Sequence, residues 1–204
     1  MERIRGLEEY VKNKEYREAL GLPKDKTENY ELLAQGEYNI NYAFTHSVTG
    51  KKLLLRVNCG SQMHLEHQIE YEAHALRLME GSGRTPKVLY VDGSKKILEH
   101  GVLVMEYLPG HAMDYHTELM LAAPCLADIH SVPIPESEEI LIHPQNPLKA
   151  ILEECEEMFK VYLESPLGDG EKKTYIRELL DLGWKREAEI QLESGYQCCI
   201  NTEL

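Results

Sequence analysis

One strand followed by one helix sets the frame for this chain. Lys52-Leu53-Leu54-Leu55-Arg56-Val57 reads as a buried strand interrupted only by Arg56. After a short loop, Leu65, Ile69, Leu76 and Met79 recur at i, i+4, i+11 and i+14. That spacing predicts a helix over Leu65–Glu80 with one apolar face. Glu72 falls on the same face at i+7, whereas Glu66 and Glu70 point to the flanks. A carboxylate turned inward is costly unless a cation meets it, and Arg56 is the nearest candidate. An inward guanidinium on the strand against an inward carboxylate on the helix is the contact expected to organise the fold.

With 204 residues the chain has room for one large domain or two small lobes, and 43% apolar residues suffice for a core. The opening Met1-Glu2-Arg3-Ile4-Arg5 has no apolar leader and no run approaches a membrane span, so a cytoplasmic location without a membrane partner is expected. Five unevenly spaced cysteines argue against a disulfide framework. No Cys/His spacing reads as a zinc site, and Cys198-Cys199 are expected as two strand residues on opposite faces. The net charge of −13 leaves no basic footprint for nucleic acid. Residues 1–110 carry 15 basic and 16 acidic groups, residues 111–204 carry 7 and 19. An acidic wall facing a cationic substrate would explain the imbalance; solvated helix faces at Glu153-Glu154 and Glu156-Glu157 explain it more simply.

Along the chain, residues 4–20 read as one helix ending at Gly21. Strands are expected at Tyr30–Ala34, Ile40–His46, Lys52–Val57, Lys87–Val91 and Gly101–Met105, joined by turns at Gln35–Asn39, Ser47–Gly50 and Asp92–Ser94. Beyond Glu106-Tyr107-Leu108-Pro109-Gly110 the pattern is helical: Thr117–His130 with Pro124 disturbing its middle, Leu148–Leu163, and Lys172–Leu192 interrupted near Gly183. Gln197-Cys198-Cys199-Ile200 reads as a last short strand. A β-rich part followed by a helical part indicates an α+β chain rather than alternating βαβ units.

These pieces, in this order, resemble the aminoglycoside phosphotransferase and choline-kinase-like family. The resemblance rests on Gly36-Glu37-Tyr38-Asn39 between two strands, Leu54-Leu55-Arg56-Val57, Glu72-Ala73-His74-Ala75-Leu76, Thr85-Pro86-Lys87-Val88-Leu89, Met105-Glu106-Tyr107-Leu108-Pro109-Gly110 and Leu126-Ala127-Asp128-Ile129-His130. It implies a protein-kinase-like fold: a nucleotide-binding lobe over 1–105 with a five-stranded antiparallel sheet and one main helix, a hinge over 106–110, and a partial, mostly helical lobe over 111–204. It implies transfer of a phosphoryl group from ATP, with Mg2+, to a hydroxyl of a small, aminoglycoside- or choline-like and cationic molecule. Gly36 and Asn39 would lie at the phosphate loop, Arg56 on the phosphates and Glu72 behind it. The main chain of Glu106 and Leu108 would hold adenine, with Met105 filling the space behind. His130 is expected as a packed helix-end residue and His111 and His116 as surface residues. Asp114 could face a cationic substrate or cap a helix.

The likeness fails at the end of the sequence. Where the family reads His-Gly-Asp-Leu, this chain has Asn201-Thr202-Glu203-Leu204, which places Glu203 at the catalytic Asp and Asn201 at the His. The Asn and second Asp that would hold Mg2+ have no counterpart, so an incomplete member is expected, with apolar surface on its last helices inviting self-association. Three functions follow: a small-molecule kinase, a nucleotide-binding pseudokinase without turnover, or an acidic module that docks a basic partner.

Overall fold

The computed structural model describes residues 4–61, 65–190 and 198. Among them, residues 4–140 and 198 belong to one compact unit and residues 141–190 to another.

The first unit is built on five strands: β1 (Glu31–Gln35), β2 (Asn39–Thr45), β3 (Lys52–Asn58), β4 (Val88–Asp92) and β5 (Gly101–Glu106). All pairings are antiparallel, in the order β1-β2-β3-β5-β4. Alternation divides their side chains between two faces. On the first, Ile40, Tyr42 and Phe44 of β2, Leu53, Leu55 and Val57 of β3, and Val102 and Val104 of β5 are buried. Each such side chain contributes roughly 1.5–3 kcal/mol on leaving water.

Two short helices cover that face, α1 (Leu7–Tyr10) and α2 (Lys14–Leu20), supplying Leu7, Tyr10 and Tyr16 to the same cluster. The single helix expected over 4–20 is thus broken. Asn13 starts a second helix by accepting a hydrogen bond from the Glu15 N–H at 2.7 Å, an N-cap where the sequence pattern showed only a polar residue. Gly21 ends α2 in the left-handed conformation, φ 67°, as expected.

The second face carries α3 (Gln68–Leu78), continued by a 3₁₀ turn over Met79–Ser82. Ile69 and Ala73 of α3 pack with Leu103 and Met105 of β5. Gly101 permits this approach, since a Cβ there would stand 2.6 Å from the Ile69 Cγ2. The helix starts three residues later than the apolar spacing suggested, because Ser61 ties the preceding loop: its hydroxyl donates to Gln68 Oε1 at 2.9 Å and accepts from the Leu65 N–H at 2.7 Å. Helix α4 (Leu119–His130) runs unbroken through Pro124. The Arg84 guanidinium holds it, donating to Asp128 Oδ2. His130 is exposed, not packed, because α4 buries none of its residues.

The second unit is a helical pair, α5 (Pro147–Glu164) and α6 (Gly170–Glu189), started by the Asn146 and Asp169 caps. Helix α6 is continuous through Gly183. The glycine serves packing: a Cβ there would meet the Leu152 Cδ2 at 2.7 Å, so its absence lets α5 close on α6. Glu156 is not a solvated surface charge either. It receives both arms of Arg177 and the Trp184 Nε1–H at 3.0 Å, and these donors hold its carboxyl down at about 2. Ile151, Met158, Val161, Tyr175, Leu179 and Leu182 are exposed, the apolar surface expected of these helices. The strand expected at 197–200 lies outside the described residues except for Cys198, which has no regular secondary structure.

Candidate functional site

The second face of β2 and β3 is where polar groups gather. Asn39 and Asn41 alternate with the buried Ile40, Tyr42 and Phe44, and Arg56 and Asn58 alternate with Leu55 and Val57. Register sets Asn41 opposite Arg56, and Arg56 opposite Leu103 of β5. Two residues along, Ala43, Leu54 and Met105 form a parallel apolar row. The rows are separated by about 7 Å of strand.

Arg56 is clamped on two edges. Its Nε–H donates to Asn41 Oδ1 at 2.9 Å, and its NH1 group donates to Glu72 Oε1. Both side chains of this ion pair keep some contact with solvent, 24% for Arg56 and 20% for Glu72. The NH2 group of Arg56 makes no hydrogen bond to a described residue. A planar guanidinium held in orientation with one edge open suits an oxyanion such as a phosphate, whose oxygens can accept from it. Burial pushes the Glu72 carboxyl above its ordinary pKa, and the charge and hydrogen bond of Arg56 oppose that rise without cancelling it.

Around the clamp, the Asn58 Nδ2 group donates to Asn39 Oδ1 at 3.0 Å and to the Gly60 carbonyl at 2.7 Å, and the Cys59 N–H to the Tyr38 carbonyl at 2.7 Å. These bonds tie the β1–β2 turn to the loop that leads into α3. The Gly36 N–H donates to the Asn39 carbonyl at 2.9 Å, so it closes the hairpin and is not itself a free donor for phosphate. With a single glycine the loop spends this N–H on its own turn.

At the other end of the sheet, Met105 is buried between β5 and α3. The Glu106 N–H is spent on the Lys87 carbonyl at 3.0 Å, leaving only its carbonyl for a ligand. Leu108 lies past the end of β5 and is 55% exposed, with no regular structure around it. Asp114 organises its own turn, accepting from the His116 N–H at 2.8 Å, while its N–H donates to Glu118. The His116 N–H foremost, with the Thr117 hydroxyl and N–H, keeps its carboxyl below the usual value. His111 pairs with Glu118, and His111 and His116 are both exposed. Glu203 and Asn201 lie outside the described residues.

Sequence reasoning missed Asn41. Its signal was present, a second polar residue at i+2 from Asn39 on an otherwise apolar strand, but only register showed that it meets Arg56.

The model of the phosphotransferase enzyme family matches residues 29–183. Among solved structures, the chain is similar to an ethanolamine kinase of Plasmodium vivax, with 14% identity, a TM-score of 0.60, and coverage of 88% of this chain and 50% of that one. A choline kinase of Cryptosporidium parvum matches at 15% identity and TM-score 0.54, covering 80% of this chain and 47% of that one. A spectinomycin phosphotransferase solved with ADP and spectinomycin matches at 14% identity and TM-score 0.53, covering 93% and 59%. No curated protein matches the sequence significantly. These structures share the α+β kinase-like fold, and the chain spans about half the length of the first two.

Proposed function

The chain belongs to the phosphotransferase enzyme family, and from that premise we propose that the second face of its sheet holds ATP. The observation that carries this reading is Arg56, fixed by Asn41 and Glu72 with one edge open. In this reading the open edge takes phosphate oxygens, Ala43 and Leu54 lie under the base about 7 Å along the strands, and Met105 fills the space behind it. The carbonyl of Glu106 and the main chain of Leu108 meet the edge of the base. ATP supplies the transferable phosphoryl group; Arg56 orients it and offsets its charge. Glu72 and Asn41 act through Arg56 as positioning residues. Mg2+ would enter on the phosphates. Among the described residues no group of three or more His, Cys, Asp or Glu side chains is placed to hold it.

The acceptor is proposed to be a hydroxyl on a small molecule bearing an amine, the chemistry shared by the compounds for which the similar structures are named. Glu203 is proposed as the base that receives the hydroxyl proton. A second reading, nucleotide binding without turnover, is favoured by Asn201 and Glu203 standing where the family has His and Asp.

Thermal unfolding with and without millimolar magnesium-ATP tests the binding. Protection in the wild type that disappears in Arg56→Ala is expected. An unchanged melting temperature in the wild type overturns the reading. Nucleotide protection without phosphoryl transfer to any amino alcohol or aminoglycoside selects the second.

A further inference from the structure

A second cationic site lies on the other side of the sheet. Lys12 and Lys14 flank the break between α1 and α2, Arg17 projects from α2, and Lys24, Lys26 and Thr27 lie on the segment leading to β1. Together they line a concavity of about 460 Å³. Since α2 packs on the first face of the sheet through Tyr16, this concavity is separate from Arg56, which points to the second.

Among the described residues its charge is only partly neutralised. Lys14 has Glu18 at 3.8 Å and Arg17 has Glu28 at 2.9 Å. Among the described residues the Lys26 Nζ reaches only the Ser47 carbonyl, at 3.4 Å. Lys12 and Lys24 have no carboxylate within ion-pair distance among the described residues, and neither Glu15 nor Asp25 lines the hollow. Three uncompensated ammonium groups thus surround one cavity in a chain whose net charge is −13. Their mutual repulsion is relieved only by counter-ions. Arg17 adds an independent observation. It is 6% exposed, its two terminal nitrogens are taken up by Glu28 and by the carbonyls of Val11, Pro23 and Lys26, and its Nε–H has no partner. A buried donor left unpaired is costly, and the residue that carries it lines the hollow.

We propose that this concavity binds a compact soluble anion carrying two or three phosphate groups, independently of the nucleotide site. The volume lies within the roughly 300–1,000 Å³ typical of small-ligand sites. The lysine stems are long and flexible, which suits a cluster of phosphate oxygens better than a single planar carboxylate. Arg17 already holds the segment 23–28 through two of its carbonyls and Glu28. A bound anion would therefore stiffen the entry to β1, and binding would register as thermal protection.

The test titrates inorganic tripolyphosphate into the full chain without magnesium at about 0.15 M ionic strength, following heat of binding and melting temperature. The background is Arg56→Ala, which removes the cation of the nucleotide site. Binding is expected to persist there and to weaken at least about tenfold when the exposed pair Lys12→Gln/Lys24→Gln is added. Binding abolished by Arg56→Ala alone, or unchanged within about twofold in the lysine variant, overturns the proposal. So does co-sedimentation with vesicles containing a bisphosphorylated inositol lipid when free tripolyphosphate does not bind. Lys12 and Lys24 lie on the surface, so the folded state survives their substitution. Nucleotide protection can fail while this site stands, and the reverse.

Discussion

The two faces of the sheet each carry an arginine–glutamate pair, and the pairs behave oppositely. On the first face, the side chains of Arg17 and Glu28 are 7% and 0% exposed, and the two terminal nitrogens of the guanidinium are taken up by three main-chain carbonyls besides the carboxylate. Burial would raise the Glu28 carboxyl, but the approach of the Ser47 hydroxyl and of Arg17 carries it below its ordinary value. On the second face, Arg56 and Glu72 stay partly exposed and Arg56 retains an open edge; burial there wins and the Glu72 carboxyl is raised. The same two residue types make a structural clamp where burial and main-chain carbonyls enclose the guanidinium, and on the other face the pair proposed to meet a ligand, where Arg56 is held only by side chains and stays partly exposed. Enclosure by main-chain carbonyls, not the presence of a salt bridge, distinguishes them.

Removing one partner is the strongest way to break the comparison. Arg17→Ala leaves Glu28 buried and unpaired and is expected to cost about 3–5 kcal/mol in urea unfolding. Arg56→Ala is expected to cost about 1 kcal/mol or less, as partly exposed pairs do. Equal losses would mean that the two pairs do the same work.

The second contrast concerns the ligand. With magnesium-ATP at about one hundred times its Kd, the wild type should gain about 2.7 kcal/mol, Arg17-intact variants of the first face should keep that gain, and Arg56→Ala should lose it. Asn41→Ala, which frees the guanidinium without removing it, should lose about 1 kcal/mol of that protection. Its basal stability should change little. Full protection in Asn41→Ala would show that the register partner has no part in orienting Arg56.

The smallest effect sharpens the comparison through pH. The ordinary value of both carboxyls is 4.5. Glu28, held lower when folded, contributes stability present above pH 4.5 that is lost as pH falls through its folded value. Glu72, held higher, binds its proton more tightly when folded, so its contribution falls as pH rises from 4.5 through its raised value. Glu72→Gln should flatten the slope above 4.5 and leave the acid limb in place, whereas Glu28→Gln should shorten the acid limb. Urea unfolding across that range reads both slopes.

The strand–helix unit around Arg56 and Glu72 was legible from the sequence because both patterns report burial directly: a continuous apolar run put Arg56 among apolar neighbours, and the helical repeat put Glu72 on an apolar face. The five strands were legible for the same reason, each bounded by Gly, Pro, Asn or Ser. The break between α1 and α2 was not, because Asn13 is a cap only once the Glu15 N–H lies within its reach. Gly183 was misleading as a stop: glycine weakens a helix alone, but here it removes a clash with Leu152. Lys12, Lys24 and Lys26 are separated in the chain and look like ordinary surface charges until α2 brings them around one hollow.

Sequence by itself thus determined the antiparallel sheet, its covering helix and the two charges that face each other across them, since local pattern and the cost of burying charge leave few alternatives. Only the tertiary structure decided which hydrogen bonds each charge finds. Asn41 beside Arg56 comes from strand register, and the carbonyls of Val11, Pro23 and Lys26 around Arg17 come from the irregular segments on either side of α2, neither of which a hydrophobic period encodes.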